Sequence, residues 1–269
     1  MSFEGFKRAE TKGWDARAGA YNDFTGQVTT QAIPTLMAMA ETAPDKNFLD
    51  LCCGTGRAAG AANALGARAE GIDVSAAMVD AARAAFPNVV FDVGDAESIP
   101  RADDTFDAVI CSFGLMHVGS PEAMFREIAR VLKPRGRLAL SHWIGPPDSP
   151  LFRIVFGTMQ QMADMSDVPP SPPPFALSSE GAMREALETV GFGDVSVETL
   201  PLFFTAPAGK FAEHFRTFAA RAAVILDQQT DAISKEIYAS WEQQLEEFLV
   251  DGQYQVPMPA LAVSAVREE

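Results

Sequence analysis

The sequence predicts an α/β fold in which helices cover both faces of a mostly parallel β-sheet. Short apolar runs alternate with helical periodicity between residues 47 and 143, at intervals of about 20–25 residues. A glycine-rich turn follows the first of these runs, as in parallel sheets that bind nucleotides. The length of 269 residues and the hydrophobic content of 48% suffice for a large core in one domain, or in one domain with a cap.

The predicted elements begin with helices over residues 1–45, where apolar residues recur at helical spacing. Strands and helices then alternate, and Lys133–Gly136 is predicted to be a turn. The predicted strands are 47–51, 68–73, 89–93, 106–112 and 137–143, and the predicted helices are 57–65, 75–86 and 121–132.

The composition changes after Trp143, because eight of the eighteen prolines fall between Pro146 and Pro174. The run from Pro169 to Pro174 is predicted to be a semi-rigid polyproline spacer. The elements predicted around it are a helix at 152–165, a helix at 179–190, a strand at 194–204, two amphipathic helices within 208–250 and a last strand at 255–266.

Charge and composition exclude several classes of function. The 36 acidic and 21 basic residues give a net charge of −15, which repels nucleic acid and anionic lipid. No apolar run is long enough for a membrane-spanning helix, and residues 1–10 do not resemble a signal peptide. The three cysteines predict reduced thiols and a cytoplasmic location, and the three histidines form no metal-binding motif.

The glycine turn is the most informative segment. Gly54 and Gly56 lie between a strand and a helix, where a ligand can approach the backbone and the helix N-terminus. Asp50 and Asp73 lie at the ends of the first two predicted strands, and Asp95 follows the third. Asp73 is placed to accept from the hydroxyls of a ribose, and Asp95 from an exocyclic amine.

Two ligand classes compete for this turn. The sequence from Gly54 to Ala59 also matches a loose dinucleotide fingerprint, with Asp73 following 19 residues after Gly54. Asp50 disfavours a dinucleotide and favours a ligand with an amino group, because a carboxylate beside the turn repels a pyrophosphate and attracts an ammonium group. A ligand with an amino group, a ribose and an adenine is S-adenosylmethionine.

Five segments carry a resemblance to a known family: Leu49–Gly56, Gly71–Ser75 with Met78, Gly94–Pro100, Phe106–Cys111 and Glu127–Arg137. With them, the chain resembles class I S-adenosylmethionine-dependent methyltransferases of the UbiE-like, small-molecule group, over about residues 14–145. The sequence departs from the family pattern at Cys52 and Arg135, where the family usually has glycine.

The resemblance implies a Rossmann-like, seven-stranded sheet whose last strand is antiparallel, with a helical lid. It implies N-terminal helices (1–45) closing over the cofactor, a cofactor-binding core (46–145), a proline-rich helical cap (146–178) and a C-terminal part of the sheet (179–269) with a lid insertion at about 205–250. The cofactor-binding residues it implies are Tyr21, Asp50, Cys52, Gly54, Gly56, Asp73, Val74, Met78, Asp95, Ala96, Cys111 and Ser112.

Three residues are candidates for the catalytic step. His117 follows the fourth strand on the expected acceptor side, and it is either a general base or a structural loop histidine. His142 ends the fifth strand as a weaker candidate, and Tyr21 is a candidate for positioning.

The predicted function is methyl transfer from S-adenosylmethionine to an O, N or C atom of a small, partly apolar molecule, such as a phenol, a quinone or a natural-product intermediate, with S-adenosylhomocysteine as product. The chain is expected to be a monomer or homodimer that binds no nucleic acid, no metal and no membrane interior. The alternatives are an S-adenosylmethionine-binding protein without methyl transfer and a nicotinamide-dependent oxidoreductase.

Overall fold

The computed structural model describes residues 3–23, 25–166, 168 and 170–269. Met1, Ser2, Phe24, Asp167 and Pro169 belong to segments with predicted structure but lie outside the described residues. The strands are β1 Asn47–Leu51, β2 Arg68–Asp73, β3 Val90–Val93, β4 Phe106–Ser112, β5 Leu132–Trp143, β6 Phe192–Leu200, β7 Phe203–Pro207, β8 Leu249–Val250, β9 Gln253–Pro257 and β10 Ala260–Arg267.

The central sheet has the seven strands that were predicted, in the order β3-β2-β1-β4-β5-β10-β6. The pairs from β3 to β5 are parallel. The last strand, β10, runs antiparallel to both β5 and β6, which confirms the predicted mostly parallel sheet. The carboxyl ends of β1, β2 and β4 therefore meet at one edge of the sheet.

Helices pack around this sheet. Short 3₁₀ turns at Tyr21–Asp23, Thr30–Ala32, Leu115–His117 and Glu246–Phe248 connect some of them. The α-helices are α1 Glu4–Arg17, α2 Thr25–Thr29, α3 Ile33–Met39, α4 Arg57–Ala64, α5 Ala76–Ala85, α6 Pro121–Val131, α7 Pro150–Met162, α8 Glu180–Glu188, α9 Phe211–Phe218, α10 Ala220–Leu226 and α11 Asp231–Leu245.

The core lies in two layers, one on each face of the sheet. Alternate residues of β1 point to opposite faces: Phe48 joins the layer that contains Leu36 of α3, and Leu49 joins the layer that contains Ile128 of α6. All four side chains are fully buried. This sandwich of sheet and helices fixes where each strand ends, and hence where the site residues that follow the strands lie.

The C-terminal part of the chain differs from the predicted elements. The strand predicted at 194–204 is divided between β6 and β7, and the strand predicted at 255–266 is divided between β9 and β10. Pro201 separates the first pair and Pro259 the second, and a proline cannot donate to a continuing strand ladder. The segment between β6 and β10 holds three helices rather than two, together with a small antiparallel sheet of order β7-β9-β8.

A second correction concerns β5. The predicted turn at Lys133–Gly136 lies inside the bounds of this strand, where the pairing with β4 jumps from Leu132 to Arg137. Arg135 has φ of +66° there, a left-handed conformation that favours glycine. The side chain of Arg135 is therefore accommodated with local backbone strain.

None of the helices in the described ranges combines the length and the apolar character needed to cross a bilayer.

Candidate functional site

A cleft of about 1520 Å³, including its open mouth, lies at the carboxyl ends of the parallel strands. Helix α1 and the 3₁₀ turn at Tyr21 form one wall. Another part is lined by Ser171, Pro172, Pro174 and Phe175 of the proline-rich segment. Most of the predicted site residues line it: Tyr21, Cys52, Gly54, Asp73, Val74, Met78, Asp95, Ala96, Ser112 and His117.

The turn between β1 and α4 forms the base of the cleft. Cys52, Gly54 and Gly56 have φ values of +57°, +52° and +78°, so the backbone bends sharply before the helix. A Cβ on Gly56 would lie 2.6 Å from the Phe91 ring. Gly56 itself is absent from the lining; its role is to let the turn pack tightly on the sheet.

Asp73 holds this turn in place from the end of β2. Its Oδ2 accepts from the backbone N–H of Gly54 at 2.8 Å, and its Oδ1 accepts from that of Ser75 at 2.9 Å. Burial raises the pKa of this carboxyl, although the two backbone donors act in the opposite direction. A buried carboxylate on the wall of a cleft is suited to accept further hydrogen bonds from a ligand.

Asp50 lies in a smaller cavity next to the main cleft, which Tyr21, Cys52 and Ser112 also line. Its side chain is buried and accepts from the backbone N–H of Ala59 at 2.9 Å. Burial, and to a lesser degree the charge of Asp73, raise the pKa of Asp50 to about 8. A positive charge beside Asp50 would stabilise the ionised form of this carboxyl and lower its pKa.

Ser112 ends β4 at the boundary of the two cavities. Its hydroxyl is buried, and it has no hydrogen-bond partner among the described residues. An unsatisfied buried hydroxyl costs free energy that a polar ligand atom would offset.

Cys52 replaces the family's glycine without closing the cleft. A Cβ on Gly114 would lie 2.5 Å from the Cβ of Cys52 and 2.7 Å from the sulfur of Cys111. The thiol of Cys52 thus occupies space that a side chain at Gly114 would need. Cys111 is fully buried in the core and lies outside both cavity linings, so the structure does not bring this predicted residue to the site.

The loop after β3 is tied to α1 by charges. Lys7 Nζ lies 2.6 Å from Asp95 Oδ2 and 3.2 Å from Glu97 Oε1. Asp15 of the same helix accepts from the Ser75 hydroxyl at 2.6 Å. Helix α1 therefore contacts the ends of both β2 and β3, where the nucleoside part of the predicted cofactor belongs.

Tyr21 lies over the glycine turn, with its ring 3.8–3.9 Å from the position of a Cβ on Gly54. Its hydroxyl is 3.2 Å from that of Thr29, and burial raises its pKa to about 12. Tyr21 is thus a neutral, hydrogen-bonding cover over the turn.

His117 lines the cleft and pairs with a residue that the sequence did not indicate. Its Nδ1 lies 2.7 Å from Oε2 of Glu10, a buried carboxylate of α1. The Trp14 ring packs edge-on against the imidazole at 5.0 Å. No spacing rule connects residues 107 positions apart, so only the packing of α1 reveals this pair.

His142 lies elsewhere. It is 2% exposed, its Nδ1 is 2.8 Å from the carbonyl oxygen of Trp143, and it is not among the cleft-lining residues. Burial lowers its pKa to about 4. The structure therefore gives no support to His142 as a catalytic residue.

Aromatic side chains form the remaining wall of the cleft. Phe113, at φ of +56°, stacks on Trp143 with ring centroids 3.8 Å apart. Phe152 and Phe175 extend this wall, with their centroids 5.2 Å apart. Phe113, Phe175 and the nearby Arg221 carried no sequence signal.

Fold and cleft together define an α/β protein of the Rossmann-like class with a deep cleft at the carboxyl ends of its parallel strands. Residues 49–140 match the family model described as "Methyltransferase domain". The chain is 38% identical over 143 residues to a demethylmenaquinone methyltransferase of Corynebacterium kroppenstedtii, a match that covers 51% of this chain and 61% of that protein. It is 31% identical over 168 residues to the enzyme of the same name from Renibacterium salmoninarum, covering 58% of this chain and 70% of that one.

The solved structure of the YcgJ protein from Bacillus subtilis is similar in fold, with a TM-score of 0.60 and 21% identity, over 89% of this chain and 99% of that one. The aligned part spans only 61% of the first relative and about half of several others. The family model and the match to the Renibacterium salmoninarum enzyme, 70% of which is covered, show the family. The chain belongs to the class I S-adenosylmethionine-dependent methyltransferases, in the UbiE-like group that its motifs predicted. Its cofactor is S-adenosylmethionine, so the nicotinamide alternative is set aside.

Proposed function

We propose that this chain transfers the methyl group of S-adenosylmethionine to an O, N or C atom of a small, partly apolar molecule. The observation that carries the proposal is the continuity of the cleft, which leads from Asp73 and Ser112 at the strand ends to His117 and the aromatic wall. One cavity thus offers polar groups for a cofactor and apolar surface for an acceptor.

The residues present fit the cofactor. Asp50, with its raised pKa, and the unsatisfied hydroxyl of Ser112 suit the amino-acid end, and Tyr21 covers it. Asp73 suits the ribose, Val74, Met78 and Ala96 suit the adenine, and Asp95 suits its amine. When bound, S-adenosylmethionine supplies a sulfonium-activated methyl group.

The chain's own part in the reaction is to position and deprotonate the acceptor. The stacked rings of Phe113 and Trp143 give a flat, apolar surface that suits a planar acceptor. His117 Nε2 would take the proton of an acceptor hydroxyl or amine, and the electron pair left on that atom would accept the methyl group that S-adenosylmethionine supplies, with S-adenosylhomocysteine as the leaving group. Alignment of the two reactants supplies several kcal/mol of the barrier reduction, in order of magnitude.

The names of the relatives indicate which acceptors to test first. Those proteins are called demethylmenaquinone methyltransferases, and an aromatic wall beside a histidine suits a reduced quinone or a phenol. The net charge of −15 disfavours nucleic acid as the acceptor. A cytoplasmic location and a monomer or homodimer remain part of the proposal.

The test begins with calorimetric titration of the protein with S-adenosylmethionine, S-adenosylhomocysteine and NADH. We expect binding of both adenosyl ligands and none of NADH. Formation of S-adenosylhomocysteine is then measured with a panel of phenols, reduced naphthoquinones and amines, with a basic peptide and an RNA as negative controls. Adenosyl binding with no turnover of any small acceptor, or turnover of the peptide or RNA alone, would contradict the proposal.

A further inference from the structure

Glu10 is a carboxylate buried in the wall of the cleft, at 4% exposure. Buried carboxylates are rare unless a partner satisfies them. The partner is Nδ1 of His117 at 2.7 Å. Both residues line the cleft, and one turn of α1 further on, Trp14 packs edge-on against the imidazole and limits its rotation.

We propose that Glu10 is a positioning residue, which accepts a hydrogen bond from Nδ1 of His117 and so presents Nε2 to the acceptor as the base. This inference rests on the proposed function. An ionised carboxylate has no proton to donate, so the hydrogen in this contact belongs to Nδ1. In a neutral imidazole the other nitrogen then carries the lone pair.

Other titratable groups lie around the pair. Glu10 raises the pKa of Arg17 and of Arg221, although burial lowers the pKa of both overall. The other titratable groups that act on or near His117 are Asp73 at the end of β2 and His142 on β5. When His117 takes up the acceptor proton, the imidazolium lies against a carboxylate that is already in place.

The position of Glu10 gives α1 a second role. In the same helix, Lys7 donates to Asp95, and Asp15 accepts from the Ser75 hydroxyl. The helix that covers the proposed nucleoside end of the cleft therefore also contains the carboxylate that orients His117. A change at Glu10 should therefore act on the base without removing the contacts of α1 to the cofactor loops.

The tautomer of His117 tests the proposal without any acceptor. The protein is labelled with ¹⁵N-histidine, and the ring nitrogen shifts are recorded at alkaline pH, with His117→Gln assigning the signals and His142 and His214 as internal references. We expect the Nδ1–H form in the wild type and a shift to the Nε2–H form in Glu10→Leu. An Nε2–H form of His117 in the wild type overturns the proposal, and that result is read from the spectrum of the wild-type protein.

Kinetics with an acceptor from the panel provide the second readout. Glu10→Gln should lower kcat by about 10- to 100-fold, part of what a general base contributes, with more activity recovered at high pH, where the acceptor ionises by itself. Affinity for S-adenosylhomocysteine should stay unchanged, and Glu4→Gln, at an exposed position of the same helix, should match the wild type.

A loss confined to cofactor affinity would mean that Glu10 only supports α1, and it would overturn the positioning role. If no acceptor is methylated at all, the proposed function fails, while the tautomer measurement still decides what Glu10 does to His117.

Discussion

At the scale of single residues, the site depends on carboxylates that are held in place before any ligand binds. Asp73 accepts from two backbone N–H groups, and Asp50 accepts from one at the N-terminal part of α4. The glycine spacing and the acidic residues after each strand predicted these groups. Their state of protonation depends on burial, which the sequence does not reveal.

Asp73→Ala is expected to weaken binding of S-adenosylhomocysteine by about 1.5–3 kcal/mol, or roughly 10- to 150-fold in Kd, since hydrogen bonds to a charged acceptor are lost. Calorimetry measures the change. Asp80→Ala, on the exposed surface of α5, is the matched control. Wild-type affinity in a folded Asp73→Ala protein would refute the ribose assignment.

Asp50 gives the binding reaction a pH dependence. With its pKa raised from 3.8 to about 8, the ligand-free protein holds a proton near neutral pH that a bound ammonium group would expel. Affinity for S-adenosylhomocysteine should therefore fall as the pH drops below about 8, and binding should release a proton. Titrations in buffers of different ionisation enthalpy count that proton.

The same raised pKa fixes the sign of the effect on stability. Between these two pKa values the folded chain keeps a proton on Asp50 that the unfolded chain loses. The contribution of Asp50 to the free energy of unfolding is therefore full below pH 3.8 and is lost as the pH rises through about 8. Asp50→Asn should abolish both the proton release and this part of the pH slope. A proton release that persists in Asp50→Asn would assign it to another group.

At the scale of elements, the turn between β1 and α4 and the helix α1 shape the cleft from opposite sides. The turn was predictable, because glycines between an apolar strand and an alanine-rich helix are typical of a tight strand-to-helix connection. The location of α1 was not, because its contacts run from Lys7 to Asp95 and from Glu10 to His117. Such pairs are far apart in the chain and depend on how the helix docks.

The turn can be tested with two glycines of similar backbone conformation. Gly56→Ala should lower the free energy of unfolding by about 2–4 kcal/mol, because φ of +78° is strained for alanine and its Cβ would meet the Phe91 ring at 2.6 Å. Gly209→Ala has a similar φ of +74° but open space around the Cβ, so it should cost only about 1 kcal/mol. Urea unfolding measures both, and equal losses would show that the contact with Phe91 is unimportant.

At the scale of the whole molecule, the net charge of −15 acts on every part of the chain. Repulsion between like charges destabilises a compact state and is screened by salt. Paired surface charges add little, since exposed ion pairs contribute about 0–1 kcal/mol each. Self-repulsion should therefore dominate the response to ionic strength.

We expect the free energy of unfolding to rise when NaCl increases from about 0.01 M to about 0.15 M, as the Debye length falls from roughly 30 Å to 8 Å. Urea titrations at the two salt concentrations measure it, with KCl as a control for ion-specific effects. A fall in stability with salt would show that attractive pairs, such as Lys7 with Asp95, outweigh the general repulsion.

The sequence by itself determined the mostly parallel sheet covered by helices, the glycine turn and the strand-end carboxylates, because these depend on periodicity and on residues close together in the chain; the count of seven strands came from the family resemblance. Pro201 and Pro259 also mark where the C-terminal strands are interrupted, although the apolar runs across these prolines suggested continuous strands. Only the tertiary structure decided that His117 faces the cleft with Glu10, that His142 and Cys111 do not line it, and that Phe113 stacks on Trp143. Local patterns fix which residues end each strand, whereas the partner, the burial and the protonation of a side chain are set by the distant segments that pack against it.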